Sequence, residues 1–197
     1  TGGMGAYSPA PIMTQALAET VMDNIIEPTL RAMRDMGSPY KGVLFAGLMI
    51  TKDGPKLIEH NCRFGDPECQ VLMLRLKDDI LTLLNATVDG LLDRVSARWH
   101  DGAALSVVLA AKGYPAAYTK NTPIHLPREG LREGVEIFHA GTAYLDGQLV
   151  ATGGRVLNVT AMADTLQHAQ NLAYSTIDQI DWPNGFCRRD IGWRSLA

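Results

Sequence analysis

One stretch concentrates the polarity that could do chemistry: Ile58-Glu59-His60-Asn61-Cys62-Arg63-Phe64-Gly65-Asp66-Pro67-Glu68-Cys69-Gln70 sets three carboxylates and one guanidinium just behind an apolar strand. If that strand runs on through the segment, its period of two aligns Leu57, Glu59, Asn61 and Arg63 on one face and Lys56, Ile58 and His60 on the other. The surplus of negative charge calls for a cation, because two like charges about 4 Å apart repel by roughly 4 kcal/mol at an effective dielectric of about 20. Glu59 and Asn61 offer hard oxygens of the kind that hold magnesium together with nucleotide phosphates; the competing reading is a strand-end polar pair satisfied by backbone amides. Arg63 could grip a phosphate or carboxylate through two parallel bonds, or simply neutralise Asp66 or Glu68.

A second polar feature is the glycine-rich opening, Thr1-Gly2-Gly3-Met4-Gly5-Ala6-Tyr7-Ser8. Gly2, Gly3 and Gly5 would let backbone amides converge on an anion, with Ser8 beside them. It lacks the lysine ending of a P-loop and does not match the dinucleotide fingerprint, so a plain surface loop competes with the anion cradle. His60, His139 and Gly153-Gly154-Arg155 read as structural, and Arg188-Arg189-Asp190 as a solvated, self-paired surface.

The elements that must position these residues follow from periodicity. Residues 1–11 read as a loop, and 12–36 as a helix capped by Thr14, stopped by Gly37 and kinked or split at Pro28. Strands over 42–50 and 56–61 flank a Lys52-Asp53-Gly54-Pro55 turn, which puts the Glu59 motif at the exit of a hairpin. Asp66-Pro67 reads as cap and first residue of a helix, and another helix is expected over 78–92. From Val95 the chain changes to short strands, over 104–111, 135–144, 148–151 and 155–160, and then to a helix with Asp164 and Gln167 as its capping box. That pattern predicts an α+β fold in two domains, 1–94 and 95–197, the second small and mostly antiparallel with one packed helix. Residues 182–197 show no clear period.

Composition narrows the partners. In 197 residues, 46% are hydrophobic and 20% charged, with a net charge of -3 and a pI near 5.9, which excludes a basic nucleic-acid footprint. No apolar run approaches the roughly 20 residues that span a bilayer, and a cytoplasmic location is expected. The three cysteines, Cys62, Cys69 and Cys187, have no zinc or redox spacing and read as reduced filler. The abrupt start at Thr1 reads as a piece of something longer.

Taken together, Thr1-Gly2-Gly3-Met4-Gly5-Ala6-Tyr7-Ser8-Pro9, Phe45-Ala46-Gly47-Leu48-Met49, Glu59 to Gln70, Phe138-His139-Ala140-Gly141-Thr142 and Cys187-Arg188-Arg189-Asp190-Ile191-Gly192-Trp193-Arg194 resemble the phosphoribosylamine-glycine ligase family. The resemblance implies the second half of an ATP-grasp domain followed by that family's small β-rich C-terminal domain. It implies ATP and Mg2+ (or Mn2+) as cofactors, and glycine and 5-phosphoribosylamine as substrates. Glu59 and Asn61 match the family's metal ligands, Arg63 its phosphoryl-steadying arginine, and Asp66 a residue that orients Arg63 or accepts from the amine. Gly2, Gly3, Gly5, Ser8 and Glu68 would lie beside substrate or phosphates. Where many ATP-grasp enzymes carry another metal-binding glutamate, Leu44-Phe45-Ala46-Gly47-Leu48 offers none. The resemblance also implies that an N-terminal part of the enzyme is missing and that this piece alone is inactive. The rival expectations are another ATP-grasp carboxylate-amine ligase or biotin carboxylase-like enzyme, and a non-catalytic excised or docking module.

Overall fold

The computed structural model describes residues 2–196; Thr1 of the glycine-rich opening and Ala197 of the tail lie outside the described residues. The chain opens with strand β1 (Gly5–Ser8) where a loop was expected. Helix α1 (Gln15–Val21) starts at Thr14, whose side chain accepts from the Leu17 amide, as its residue type predicts. A π-helical turn over Met22–Ile26 joins α1 to α2 (Glu27–Asp35). Pro28 sits in the first turn of α2, and the widened turn before it accommodates the missing amide and the ring, so the helix is split and not broken. Gly37, at φ 78°, ends it as expected.

Strands β2 (Phe45–Thr51) and β3 (Gly54–Asn61) form the expected hairpin, pinned by Thr51, whose hydroxyl donates to the Gly54 carbonyl and accepts from the Asp53 amide. Helix α3 (Glu68–Arg75) has Pro67 at its cap, one residue later than expected. Helix α4 (Ile80–Asp89), capped by Asp79 and closed by left-handed Gly90, is shorter than 78–92; a 3-10 turn over Leu92–Arg94 takes up the rest. Then come β4 (Ala103–Ala111), β5 (Thr122–Pro123), β6 (Val135–His139), β7 (Thr142–Leu145), β8 (Gln148–Ala151), β9 (Arg155–Ala163), α5 (Leu166–Ile177), β10 (Gly185–Phe186) and α6 (Trp193–Leu196). The single strand expected over 135–144 is two strands in different sheets. The cap of α5 is Thr165, not Asp164: its hydroxyl accepts from the His168 amide.

The chain divides into two compact units that cut it differently from the expected boundary at 94/95. One comprises Thr1–Pro9, Asp66–Leu76 and Trp99–Ala197; the other Ala10–Gly65 and Lys77–Arg98. The first differs from a contiguous C-terminal domain because β1 and α3 pack onto β4. Its main sheet runs β1-β4-β9-β6, all antiparallel, with β10 sharing the β1 edge of β4, and a smaller sheet runs β5-β8-β7. Every residue of β4 is buried. Leu105, Val107 and Leu109 of β4, Leu157 and Val159 of β9, and Ala169, Ala173 and Ile177 of α5 form one apolar core, so α5 is the packed helix that was expected. The Thr160 hydroxyl donates to Ser106 within the buried sheet.

The second unit contrasts sharply. Among its described residues only Val21 and Ala86 are buried hydrophobics, whereas Ile58, Leu81 and Val88 are 64%, 61% and 71% exposed. Among the described residues no helix is long and apolar enough to cross a membrane.

Leu157, wholly buried between β4, β6 and α5, sets the first expectation. Leu157→Ala lowers unfolding free energy by about 3 kcal/mol, read from chemical denaturation of the first unit; a loss under about 1 kcal/mol would remove Leu157 from the core.

Candidate functional site

In the second unit, the hairpin presents the Glu59 motif. Glu59 lies opposite Gly47, next to a register shift between Gly47 and Leu48. A Cβ on Gly47 would stand 3.2 Å from the Glu59 Cγ, so the glycine clears the space that the Glu59 side chain occupies. The Asn61 amide Nδ2 donates to Glu59 Oε1 at 3.1 Å, which confirms that the two share a face and leaves the other Glu59 oxygen and the Asn61 carbonyl oxygen free among the described groups. That donor set, one carboxylate and one amide oxygen, fits a hard divalent cation that keeps phosphate or water ligands. It would not cage a metal alone, and among the described residues no group of three or more His, Cys, Asp or Glu could.

Arg63 does not continue the row. The strand ends at Asn61 because its partner begins at Phe45, leaving residue 63 nothing to pair with, and the Arg63 guanidinium donates to the adjacent Phe64 carbonyl at 2.8 Å. His60 faces away from Glu59, toward helix α2. The Thr29 hydroxyl donates to the Ile25 carbonyl and lies 3.3 Å from His60 Nε2, while His60 Nδ1 is buried with no hydrogen-bond partner among the described residues.

In the first unit, three segments of the chain line a cleft of about 380 Å³. Gly2, Gly3 and Gly5 supply one wall, Glu68 another, and Arg188 and Arg194 the third. Glycine is required at two of these positions. Gly3 has φ 75°, and a Cβ on Gly5 would lie 2.6 Å from the Ile191 side chain. Glu68 sits in the first turn of α3, where a carboxylate complements the helix dipole. The tail is tethered: the Tyr174 hydroxyl donates to the Arg188 carbonyl and accepts from the Ile191 amide, and Gln170 donates to the Ile191 carbonyl.

Within the cleft Arg188 is paired with Asp190, whose carboxyl is held below the usual range chiefly by that hydrogen bond. Arg194 lies over the Trp193 ring, 5.5 Å from its centroid, with no ion pair among the described residues. Among the described residues the cleft therefore carries one guanidinium and one carboxylate, Glu68, outside any ion pair, beside backbone amides. This composition suits a ligand with a phosphate at one end and a donor group at the other.

Two expected site residues have other partners. Ser8 is not in the cleft lining; its hydroxyl accepts from Arg75 at 2.8 Å. Asp66 is engaged by Arg155, Nη2 to Oδ2 at 2.8 Å, and by Gln70 at 3.0 Å. None of Arg155, Arg188 and Arg194 was expected as a site residue: Arg155 was read as structural, Arg188 as part of a self-paired surface, which its pairing with Asp190 bears out, and Arg194 only as part of the terminal motif. The signals that could have found them are the paired glycines before Arg155 and the Asp190-Ile191-Gly192 turn between the other two arginines.

Two family models match the chain: "Phosphoribosylglycinamide synthetase, ATP-grasp (A) domain" over residues 1–69, and "Phosphoribosylglycinamide synthetase, C domain" over residues 104–194. The phosphoribosylamine-glycine ligase of Mesorhizobium japonicum is 63% identical over 197 residues, covering all of this chain and 46% of the relative. The chloroplastic ligase of Arabidopsis thaliana is 53% identical over 201 residues, and 38% of it is covered. The crystal structure of the Thermotoga maritima ligase superimposes with a TM-score of 0.84 at 35% identity, over 98% of this chain and 47% of that one. A biotin carboxylase domain of a thermophilic 2-oxoglutarate carboxylase shares the fold, with a TM-score of 0.67 at 16% identity over 93% of this chain and 41% of the other. The chain thus spans under half the length of the bacterial relatives it matches.

Cys69, at the end of the motif, is held as a thiol: burial raises its pKa first, and the Asp66 charge adds to it. Cys62 is exposed. At pH 7.5 iodoacetamide therefore alkylates Cys62 first, and Cys69 reacts only as the pH is raised above the ordinary thiol range. Equal labelling at pH 7.5, read by peptide mass spectrometry, contradicts this order.

Proposed function

The chain belongs to the phosphoribosylglycinamide synthetase family, and from that premise we propose that it is part of an ATP-dependent carbon-nitrogen ligase that joins glycine to 5-phosphoribosylamine, a step of purine biosynthesis. A glycine carboxylate oxygen attacks the γ-phosphorus and ADP leaves. The ribosylamine nitrogen then attacks the acyl carbon of glycyl phosphate, inorganic phosphate leaves, and the nitrogen loses a proton. The protein needs to position these groups and offset charge more than to react covalently.

Glu59 and Asn61 hold the divalent cation that accompanies ATP, Mg2+ or Mn2+, which neutralises charge on the phosphates. One carboxylate is a weak claim on such an ion, so the pair depends on nucleotide phosphates to complete the shell. Arg63, exposed beyond the strand end and held only through a neighbouring carbonyl, is free to swing onto a phosphoryl group. The cleft takes the ribosylamine phosphate on Arg194 and the Gly2, Gly3 and Gly5 backbone, with Glu68 toward the amine. Asp66 is assigned a supporting place and not a catalytic one, since Arg155 and Gln70 occupy its oxygens. Ser8 is likewise assigned to structure. Activity is assigned to the cytoplasm.

The observation that carries this reading is that segments matching both family models converge on one polar cleft with an unpaired guanidinium. The wet apolar side chains of the second unit support a further element of it: the remaining length of the full enzyme covers that surface, and the 197-residue chain alone does not ligate. Turnover of ATP, glycine and phosphoribosylamine by the purified chain would overturn that element. In the full-length enzyme, Glu59→Gln lowers kcat/KM by about a hundredfold, with partial recovery at raised magnesium; an unchanged rate at low magnesium removes Glu59 from the metal shell.

A further inference from the structure

Arg155 ties together the glycine-rich opening, the start of the Asp66-Pro67-Glu68 motif and the β9 strand. Its Nη1 donates to the Gly3 carbonyl at 2.9 Å and to the Asp66 carbonyl at 2.7 Å, while Nη2 meets Asp66 Oδ2 at 2.8 Å. Three acceptors on two segments, residues far apart in sequence, are gathered by one planar fork, which an ammonium on a flexible stem could not reproduce. Room for it is built in. Gly3 has φ 75°, and a Cβ there would meet Arg155 Nη1 at 2.8 Å, so the loop approaches the guanidinium as only glycine can. The guanidinium is not part of the cleft lining, yet both segments it binds lead into that lining, Gly3 directly and Asp66 two residues before Glu68.

We propose that Arg155 is a positioning residue for the cleft: it sets the distance between the Gly2–Gly5 backbone and Glu68, and so the fit of the ribosylamine, without touching substrate. Resting on the ligase reading given above, this deepens it by naming what holds the amine substrate's subsite in shape. A displacement of about 1 Å at such a site can cost on the order of a hundredfold in rate, and the loss falls on the substrate whose subsite is distorted.

The test uses the full-length enzyme. In Arg155→Ala the KM for phosphoribosylamine rises at least tenfold, while the KM for ATP stays within twofold of wild type. Millimolar guanidinium lowers that KM again by threefold or more, and methylammonium does not. Arg155→Lys keeps the charge but not the fork and falls between wild type and alanine; if the alanine variant does not fold, the lysine variant carries the comparison. Hydrogen exchange supplies a readout independent of turnover: in either variant, peptides covering 2–8 and 66–70 exchange faster, while 166–177 is unchanged. An unaltered phosphoribosylamine KM in a folded variant, equal rises for both substrates, or unchanged exchange in 2–8 and 66–70 overturns the proposal. Failure of the wild-type enzyme to turn over would instead strike the ligase reading, and the exchange experiment would still decide the role of Arg155.

Discussion

The first unit depends on hydrogen bonding along both edges of β4. One edge is occupied by β9, the other is shared by β1 and β10, and all nine residues are buried. A strand wet on neither face must satisfy its backbone entirely by pairing, since an orphaned buried amide or carbonyl costs about as much as a lost hydrogen bond. That requirement recruits β1 from near residue 5 and β10 from near residue 185 to one β4 edge. The cleft is a by-product of the same demand. Gly5 opens β1, and the tail that follows β10 brings Arg188 and Arg194 to the glycine loop.

The second unit is governed by a different balance. Its hairpin has backbone pairing but little apolar cover, so its Glu59–Asn61 pair is shaped by local geometry: the Gly47 gap, the register shift and the short side-chain bond. A site built this way keeps oxygens available because nothing nearby competes for them. In the cleft unit the opposite holds, and most polar groups are already bonded. Asp66, Asp190 and the Ile191 backbone all have partners, which leaves Arg194 as a cation with no ion pair among the described residues.

Local signals in the sequence were enough to find the hairpin and its motif, the Thr14 cap, the Gly37 stop, the strand from 104 and the packed helix α5. Each rests on residue type or period within a few positions. Four things escaped for stated reasons. β1 is four residues long, and its partner lies about a hundred residues away, so its pairing leaves no local mark. Arg63 left the expected row because strand length is set by the partner, and β2 starts too late to hold it. Between adjacent cap-forming residues Asp164 and Thr165, the choice fell to where β9 ends, at Ala163. The role of Arg155 could not be read from Gly153-Gly154-Arg155, because its three acceptors come from residues 3 and 66.

The register of β1 has a meaning on the ribosome. Ala6 pairs with Ser106, and the chain between must be made before that pairing can exist. At roughly 5–20 residues per second, the glycine-rich segment waits on the order of 5–20 seconds for β4, and longer for β9 to cover the other edge. During that interval the segment is an unpaired strand whose Met4 and Tyr7 side chains have no core to pack against. Gly2, Gly3 and Gly5, which shape the cleft in the finished protein, also offer no side chain with which this early segment could hold a wrong partner before its proper neighbour arrives.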